Sequence, residues 1–362
     1  MKKPTTKPNL LQKLRKNLWV LIPVVFVLGA AVAAFTILDR DTAGASGKPV
    51  VCKDSTAAEF SCWQSRYNTM VAGEGPKAAF VDFKANFDTN PYVKSNCHQI
   101  GHVIGRAAAK RYVSLAETYK YGDQFCWSGY YHGAVETVAD RIGPDKIISQ
   151  LNDICSDFLD SKPYSFDHYN CVHGMGHGLM AIQDDELFTS LKTCDGYKDS
   201  WQASSCYSGV FMENVMNEIN PGKKSSYLKQ DDPLYPCTAV ESKYMEQCYM
   251  MQTSHALTVV SYDYDKVFEV CSKVQSPYDT TCFQSLGRDV SGQSGSEQSR
   301  TIELCMKGPS AAAKENCFIG AVKDFISYFH DDKQGLAMCD AITDATLSAS
   351  CTATGKNYYT TF

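Results

Sequence analysis

What this 362-residue chain lacks narrows its chemistry. It contains no G-x-S-x-G elbow, no P-loop, no H-E-x-x-H and no G-x-G-x-x-G opening a helix after a strand. Serine hydrolase, nucleotide-binding, zincin and dinucleotide-binding readings therefore have no signature to stand on. No C-x-x-C occurs either, and the closest cysteines, Cys52 and Cys62, are ten residues apart. That spacing counts against zinc ribbons, thioredoxin-like redox motifs and covalently attached c-type haem. An N-x-S/T sequon is absent, which fits a bacterial-type origin. Basic residues are scarce in the body of the chain. Net charge is -5, yet residues 2–16 carry six positive charges and no acid, so the remainder sums to -11 (-5 minus 6). An acidic body argues against sequence-independent nucleic-acid binding, and no nucleic-acid partner is expected.

What is present begins with a membrane signal. Residues 1–16 read as a basic cytoplasmic tail and residues 17–38 as an anchor, with Leu18 to Leu38 free of charge for 21 residues. That run is long enough to cross a bilayer, and the basic flank should stay in the cytoplasm. A cleaved signal peptide with Ala31-Val32-Ala33 as processing site is the competing reading, but the apolar run exceeds the usual signal core. Residues 39–51 form a linker, and residues 52–362 an exported domain on a single-pass anchor in the cell membrane. Sixteen cysteines in an exported chain imply a disulfide framework.

Those cysteines keep a rhythm. Cys271, Cys305 and Cys339 are 34 and 34 apart, and their followers Cys282, Cys317 and Cys351 are 35 and 34 apart. Cys237 and Cys248, Cys194 and Cys206, and Cys155 and Cys171 continue the pairing upstream with looser spacing. A period near 34 marks a two-helix repeat, so the expected fold is all-α: an α-solenoid of about seven disulfide-stapled hairpins. A first helix runs into its cysteine, as in DKIISQLNDICSDF and DYDKVFEVCSKV. A second helix opens on the next, as in Cys206-Tyr207 and Cys282-Phe283. The two cysteines of each unit should bridge across the hairpin, each closure contributing on the order of 3 kcal/mol. Cys97 and Cys126 would bridge adjacent units, and Cys52 and Cys62 a small loop. The period is similar to that of tetratricopeptide and Sel1-like repeats in architecture only. Their landmark residues are missing at that spacing, and no function follows from the likeness. The tail from Thr352 to Phe362 is expected to cap or fray.

The chemistry concentrates in three cysteine-led segments of units 97–186. Cys97 to Gly105 reads CHQIGHVIG, Cys126 to Glu136 reads CWSGYYHGAVE, and Cys171 to Gly178 reads CVHGMGHG. His98 and His102, His132 and Glu136, and His173 and His177 each stand four apart, so each pair shares one helix face. Each helical glycine costs roughly 1 kcal/mol against alanine, so close backbone approach, by a neighbouring helix or by a bound group, is expected to compensate. With the second helices side by side, His102, His132 and His177 form one column. His98, Ser128 and His173 lie one turn earlier; Arg106, Glu136 and Ala181 lie one turn later. Five histidines and Glu136 would make an N/O-rich site for one or two transition-metal ions, Fe or Zn ahead of Cu. The H-x-x-x-E and H-x-x-x-H pairs resemble parts of a hemerythrin-type di-iron site in spacing alone. Non-covalent bis-histidine haem is the lesser alternative.

A lone helical histidine is usually structural, and the weight here comes from five of eight histidines falling in three equivalent segments. In units 187–351 the column holds Met212, Ser254, Arg288 and Lys323, followed by Glu213, His255, Asp289 and Asp324. These four read as a polar stripe facing solvent, with Glu213 or His255 as sharper additions to a metal shell. The methionines Met212, Met216, Met250 and Met251 read as core filler. His168 and His330 read as surface residues. No nucleophile stands out, so any catalysis would rest on the metal. The other class of function is a scaffold whose concave groove, lined by Trp127, Tyr130 and Tyr131, binds a protein, peptide or glycan. A metal site requires the six side chains to converge; a scaffold lets them splay.

Overall fold

The computed structural model describes residue 52 and residues 59–361, apart from 113, 124, 159–164, 217–224 and 330. The Leu18 to Leu38 span and His330 lie outside them. Among the described residues no helix is long and apolar enough to cross a membrane. The described residues form helices, turns and coil without strands. In order the helices are α1 (Glu59–Gly73), α2 (Pro76–Thr89), α3 (Pro91–Ser95), α4 (Cys97–Arg111), α5 (Leu115–Tyr119) and α6 (Gly129–Ile142). There follow α7 (Pro144–Ser149), α8 (Phe166–Ile182), α9 (Leu187–Cys194), α10 (Ser200–Met216), α11 (Ser242–Val259) and α12 (Tyr264–Cys271). The last are α13 (Tyr278–Gln293), α14 (Gln298–Cys305), α15 (Ala311–Phe329), α16 (Lys333–Asp340) and α17 (Ala345–Thr361).

Long and short helices alternate over much of the chain, and the long ones pack in sequence: α1 on α4, then α6, α8, α10, α11, α13, α15 and α17. The short helices α9, α12, α14 and α16 each pack on the long helix that follows. This is a helical repeat. All sixteen cysteines pair as the rhythm implies: Cys155–Cys171, Cys194–Cys206, Cys237–Cys248, Cys271–Cys282, Cys305–Cys317 and Cys339–Cys351 within hairpins. Cys52–Cys62 and Cys97–Cys126 complete the set, the latter tying the start of α4 to the segment that leads into α6. Eight disulfides are those of a chain that matures in an oxidising environment.

Local chemistry departs from expectation in four places. The long helices begin before their cysteines: Cys282 is four residues past Tyr278, and Cys206 six past Ser200. Starting earlier sets the bridge a turn or more inside the helix, against the C-terminal end of the short one. The segment DKIISQLNDICSDF is α-helical only to Ser149; turns and a short 3-10 helix, Ser156–Phe158, replace the rest, and Asn152 bonds Gly196 O and Lys198 N across the hairpin. The tail does not fray but continues α17, held where Tyr358 Oη meets Ser327 Oγ at 3.0 Å. The polar stripe of the later units faces inward: His255 and Asp324 are buried.

Two backbone devices recur. After α8, α11 and α13 the chain turns through paired left-handed residues, Asp184-Asp185, Ser261-Tyr262 and Gly295-Ser296. In each, the second residue's N–H bonds a carbonyl five residues back, at 2.7–2.9 Å, the Schellman closure that satisfies a helix end. The other device is glycine at helix contacts. A Cβ on Gly105 would overlap the Tyr130 carbonyl, and one on Gly133 the His102 carbonyl, locking α4 against α6. Gly176 and Gly209 do the same for α8 and α10, and Gly287 and Gly320 for α13 and α15. The compensation expected for helical glycine is therefore backbone-to-backbone contact.

The row of long helices also curls. Trp127 Nε1 donates to Asp324 Oδ1 at 2.9 Å across 197 residues of sequence, and its ring lies 5.5 Å from Tyr328. Trp127 is the middle of three consecutive left-handed residues, Cys126 to Ser128, with φ of 59°, 53° and 61°. Such residues are strained by roughly 1–2 kcal/mol each. The disulfide on one side and the Trp127 clasp on the other hold them.

Two outcomes follow. Gly133→Ala and Gly209→Ala each drive a methyl into a backbone carbonyl and should lower stability by several kcal/mol, whereas Gly73→Ala, with open space around it, should be neutral or gain up to about 1 kcal/mol. Denaturant unfolding of the oxidised chains checks the contrast; equal effects at all three sites would contradict it. Asp324 supplies the second. Burial pushes its carboxyl up to about 6, against the Trp127 hydrogen bond that lowers it. The folded state therefore binds this proton more tightly than the unfolded chain, and stability declines as pH rises from about 4 to about 6. Asp324→Asn keeps an acceptor for Trp127 and removes the buried charge. It should gain roughly 2–3 kcal/mol on the native protein at pH 7.5 and little at pH 3.5. Melting temperatures of both chains across that range decide it; a gap that does not change with pH would refute it.

Candidate metal centre

Three neighbouring long helices supply the side chains singled out in the sequence: α4 gives His98 and His102, α6 gives His132 and Glu136, and α8 gives His173 and His177. Glycine contacts draw α4 and α6 together at this level, since Gly101 and Gly129 meet nearly backbone to backbone. All five imidazoles are buried, none more than 6% exposed. Ring centroids lie 4.7 Å apart for His98 and His102, 5.3 Å for His98 and His132, and 4.7 Å for His132 with each of His173 and His177. His102 and His177 close the cluster at 5.4 Å. The side chains converge rather than splay.

Hydrogen bonds fix which nitrogen faces inward. His98 Nδ1 lies 3.0 Å from the Cys126 carbonyl, which accepts only, so in the neutral ring the proton sits on Nδ1. His102 Nδ1 donates likewise to Glu136 Oε1 at 2.6 Å. With both rings neutral, the Nε2 lone pairs face one another across 3.0 Å, an arrangement that a cation between them relieves. The second pair repeats this. His177 Nδ1 donates to Glu213 Oε2 at 2.7 Å, and His177 Nε2 faces His173 Nε2 at 3.3 Å. His173 is flanked by Tyr169 Oη and Met212 Sδ, each at 3.3 Å. His132, between the pairs, has no hydrogen-bond partner among the described residues on either nitrogen although it is buried. A buried polar atom left unmatched costs about 1–3 kcal/mol, which a water or an ion bound at this ring would offset.

The electrostatics agree. Burial holds His98, His132 and His173 well below the ordinary histidine range, and His177 falls to about 3, so these rings are neutral donors at pH 7. For Glu136, burial acts to raise the carboxyl, but His102 and Arg106 outweigh it and hold it well below the carboxylate range. Arg106 Nη1 donates to Glu136 Oε2 at 2.7 Å. Glu213 goes the other way, pushed up to about 7 by burial and by Glu136.

Donor atoms gather into triads within 4.8 Å of one another: His98, His102 and His132; His132, His173 and His177; and His102, Glu136 and His177. Five histidines thus come together as anticipated. Glu136 comes with them, its two oxygens engaged behind the rings by His102 and Arg106. Of the sharper additions, Glu213 reaches the cluster, whereas His255 has Nε2 at 3.0 Å from the Lys229 carbonyl. Sequence reasoning missed the Cys126 carbonyl, because backbone acceptors leave no trace in residue type. It missed Tyr169 too, although Tyr169 stands four before His173. His168 is not a surface residue: it is buried, with Gln202 Nε2 at 3.0 Å. Of the aromatics expected to line a groove, Tyr130 and Tyr131 are buried and Trp127 is bonded to Asp324. No protein-family model, curated protein or solved structure matches this chain.

Proposed function

We propose that this protein is a membrane-anchored, extracytoplasmic binder of a transition metal, held among His98, His102, His132, His173 and His177 in the first half of an α-solenoid. The observation that carries the reading is the pair of facing Nε2 atoms at 3.0 Å and 3.3 Å beside a ring whose nitrogens have no other partner. Metal–nitrogen bonds of about 2.05 Å would then subtend roughly 94° and 107°, within the range of tetrahedral and octahedral ions. Glu136 and Glu213 serve as outer partners that fix the His102 and His177 tautomers and raise their basicity, as carboxylates behind metal-bound histidines do. An all-imidazole donor set favours Zn, Fe or Cu over Ca and Mg. Burial of every ring suits a stored, structural or electron-carrying ion. The charge-free Leu18 to Leu38 run and the eight disulfides support the location.

The test is element-resolved metal analysis of the full-length chain expressed through an export pathway, beside a His132→Ala, His177→Ala double variant. Near-stoichiometric Zn, Fe or Cu in the first and loss in the second, with helical content retained, is the expected result. Absence of metal from the native chain even after reconstitution would refute the reading.

A further inference from the structure

No one group of mutually close donors takes in all five histidines, and the way they divide points to more than one ion. Donors on one ion with bonds of 2.0–2.1 Å lie at most about 4.2 Å from one another. Here the imidazole donors fall into two triads, one on α4 and α6 and the other on α6 and α8, and only His132 belongs to both. Each triad holds its own facing Nε2 pair: His98 with His102, and His173 with His177. His132 is the one ring of the five with both nitrogens buried and unmatched. Resting on the metal-binding reading above, we propose that the centre is dinuclear and that His132 bridges the two ions, one on each ring nitrogen.

The chemistry balances without a co-reactant. A first divalent ion forms a bond to the bare nitrogen of neutral His132 and to one facing pair. A second ion bonds the opposite nitrogen as its N–H bond breaks, and that proton leaves to bulk water. The bridge becomes an imidazolate, and two positive ions are brought close without sharing a lone pair. Outer groups suit this charge: Glu136 and Glu213 stand behind one histidine of each triad. The triads differ in one respect that should make the ions inequivalent. Met212 Sδ lies 3.3 Å from His173 Nε2, placing a soft donor beside the second triad.

Copper(II) is the probe, because a bridging imidazolate couples the two unpaired electrons and a non-bridged pair does not. The full-length oxidised chain is titrated with Cu(II), counted by elemental analysis and followed by electron paramagnetic resonance. Saturation at about two ions per chain is expected, with most of the uncoupled signal lost as the second ion enters. His132→Ala should abolish the coupling, leaving ordinary Cu(II) signal in proportion to the copper bound. The native titration is decisive on its own should that variant misfold. Saturation at one ion overturns the dinuclear centre, and two ions with full uncoupled signal overturn the bridge; either leaves the metal-binding reading standing. No copper and no zinc bound at all overturns both.

Discussion

Backbone contact between glycine-bearing helices is the constraint on which the structure depends. Leucine at such positions would hold neighbouring axes roughly 8–10 Å apart. Glycine removes the side chain that keeps them there, and Gly105 with Gly133 lets α4 and α6 touch carbonyl to backbone. Imidazoles are short. Only at this separation do rings from three helices gather into one cluster, as His98, His132 and His177 do with ring centroids within 6.5 Å of one another. The unfavourable helix propensity of each glycine is offset by packing, and the disulfide beside each contact limits what the unfolded chain gains by separating. Gly287 and Gly320 make the same contact between α13 and α15 with no histidine nearby in sequence. The close approach is thus a property of the repeat, and the histidine cluster uses it.

How much of this the sequence carried depends on how local each cause is. Cysteine pairing within hairpins was legible because a period near 34 is a one-dimensional signal, and every expected bridge formed. Helical register was legible too: a four-residue spacing puts His98 and His102, or His173 and His177, on one face whatever the helix packs against. Interactions between units were not. Trp127 looks like a groove aromatic until Asp324, 197 residues away, is seen to accept its N–H. His168 looks like a stray surface residue until Gln202 is placed against it. The inward face of Asp324 and His255 was misjudged for the same reason. Their spacing is regular, but regularity gives a face and not its direction.

Charge buried inside the repeat needs a repeated answer, and the answer is a bond to the next long helix. His102 bonds Glu136 34 residues on, and His177 bonds Glu213 36 residues on. Thr253 and Ser254 bond Asp289 in the same way, 36 and 35 residues on, with Arg288 beside it at 2.6 Å. One structural slot therefore carries a donor–carboxylate pair in both halves of the chain. A hydroxyl donor spends its only proton in that bond. An imidazole donor has a second nitrogen, and fixing the proton on Nδ1 turns the Nε2 lone pair inward. Substituting histidine for serine or threonine in this slot converts a stabilising contact into half of a metal site.

His132 is the exception that completes the site. On α6 the carboxylate Glu136 stands one turn after His132 and serves His102; one turn after His177 on α8 stands Ala181, whose methyl offers no acceptor. The middle ring is thereby left without the proton anchor that its neighbours have, and both its nitrogens remain open. With no anchor of its own, His132 is the one ring of the five that could serve both triads, which is what distinguishes a shared ligand from five separately anchored rings.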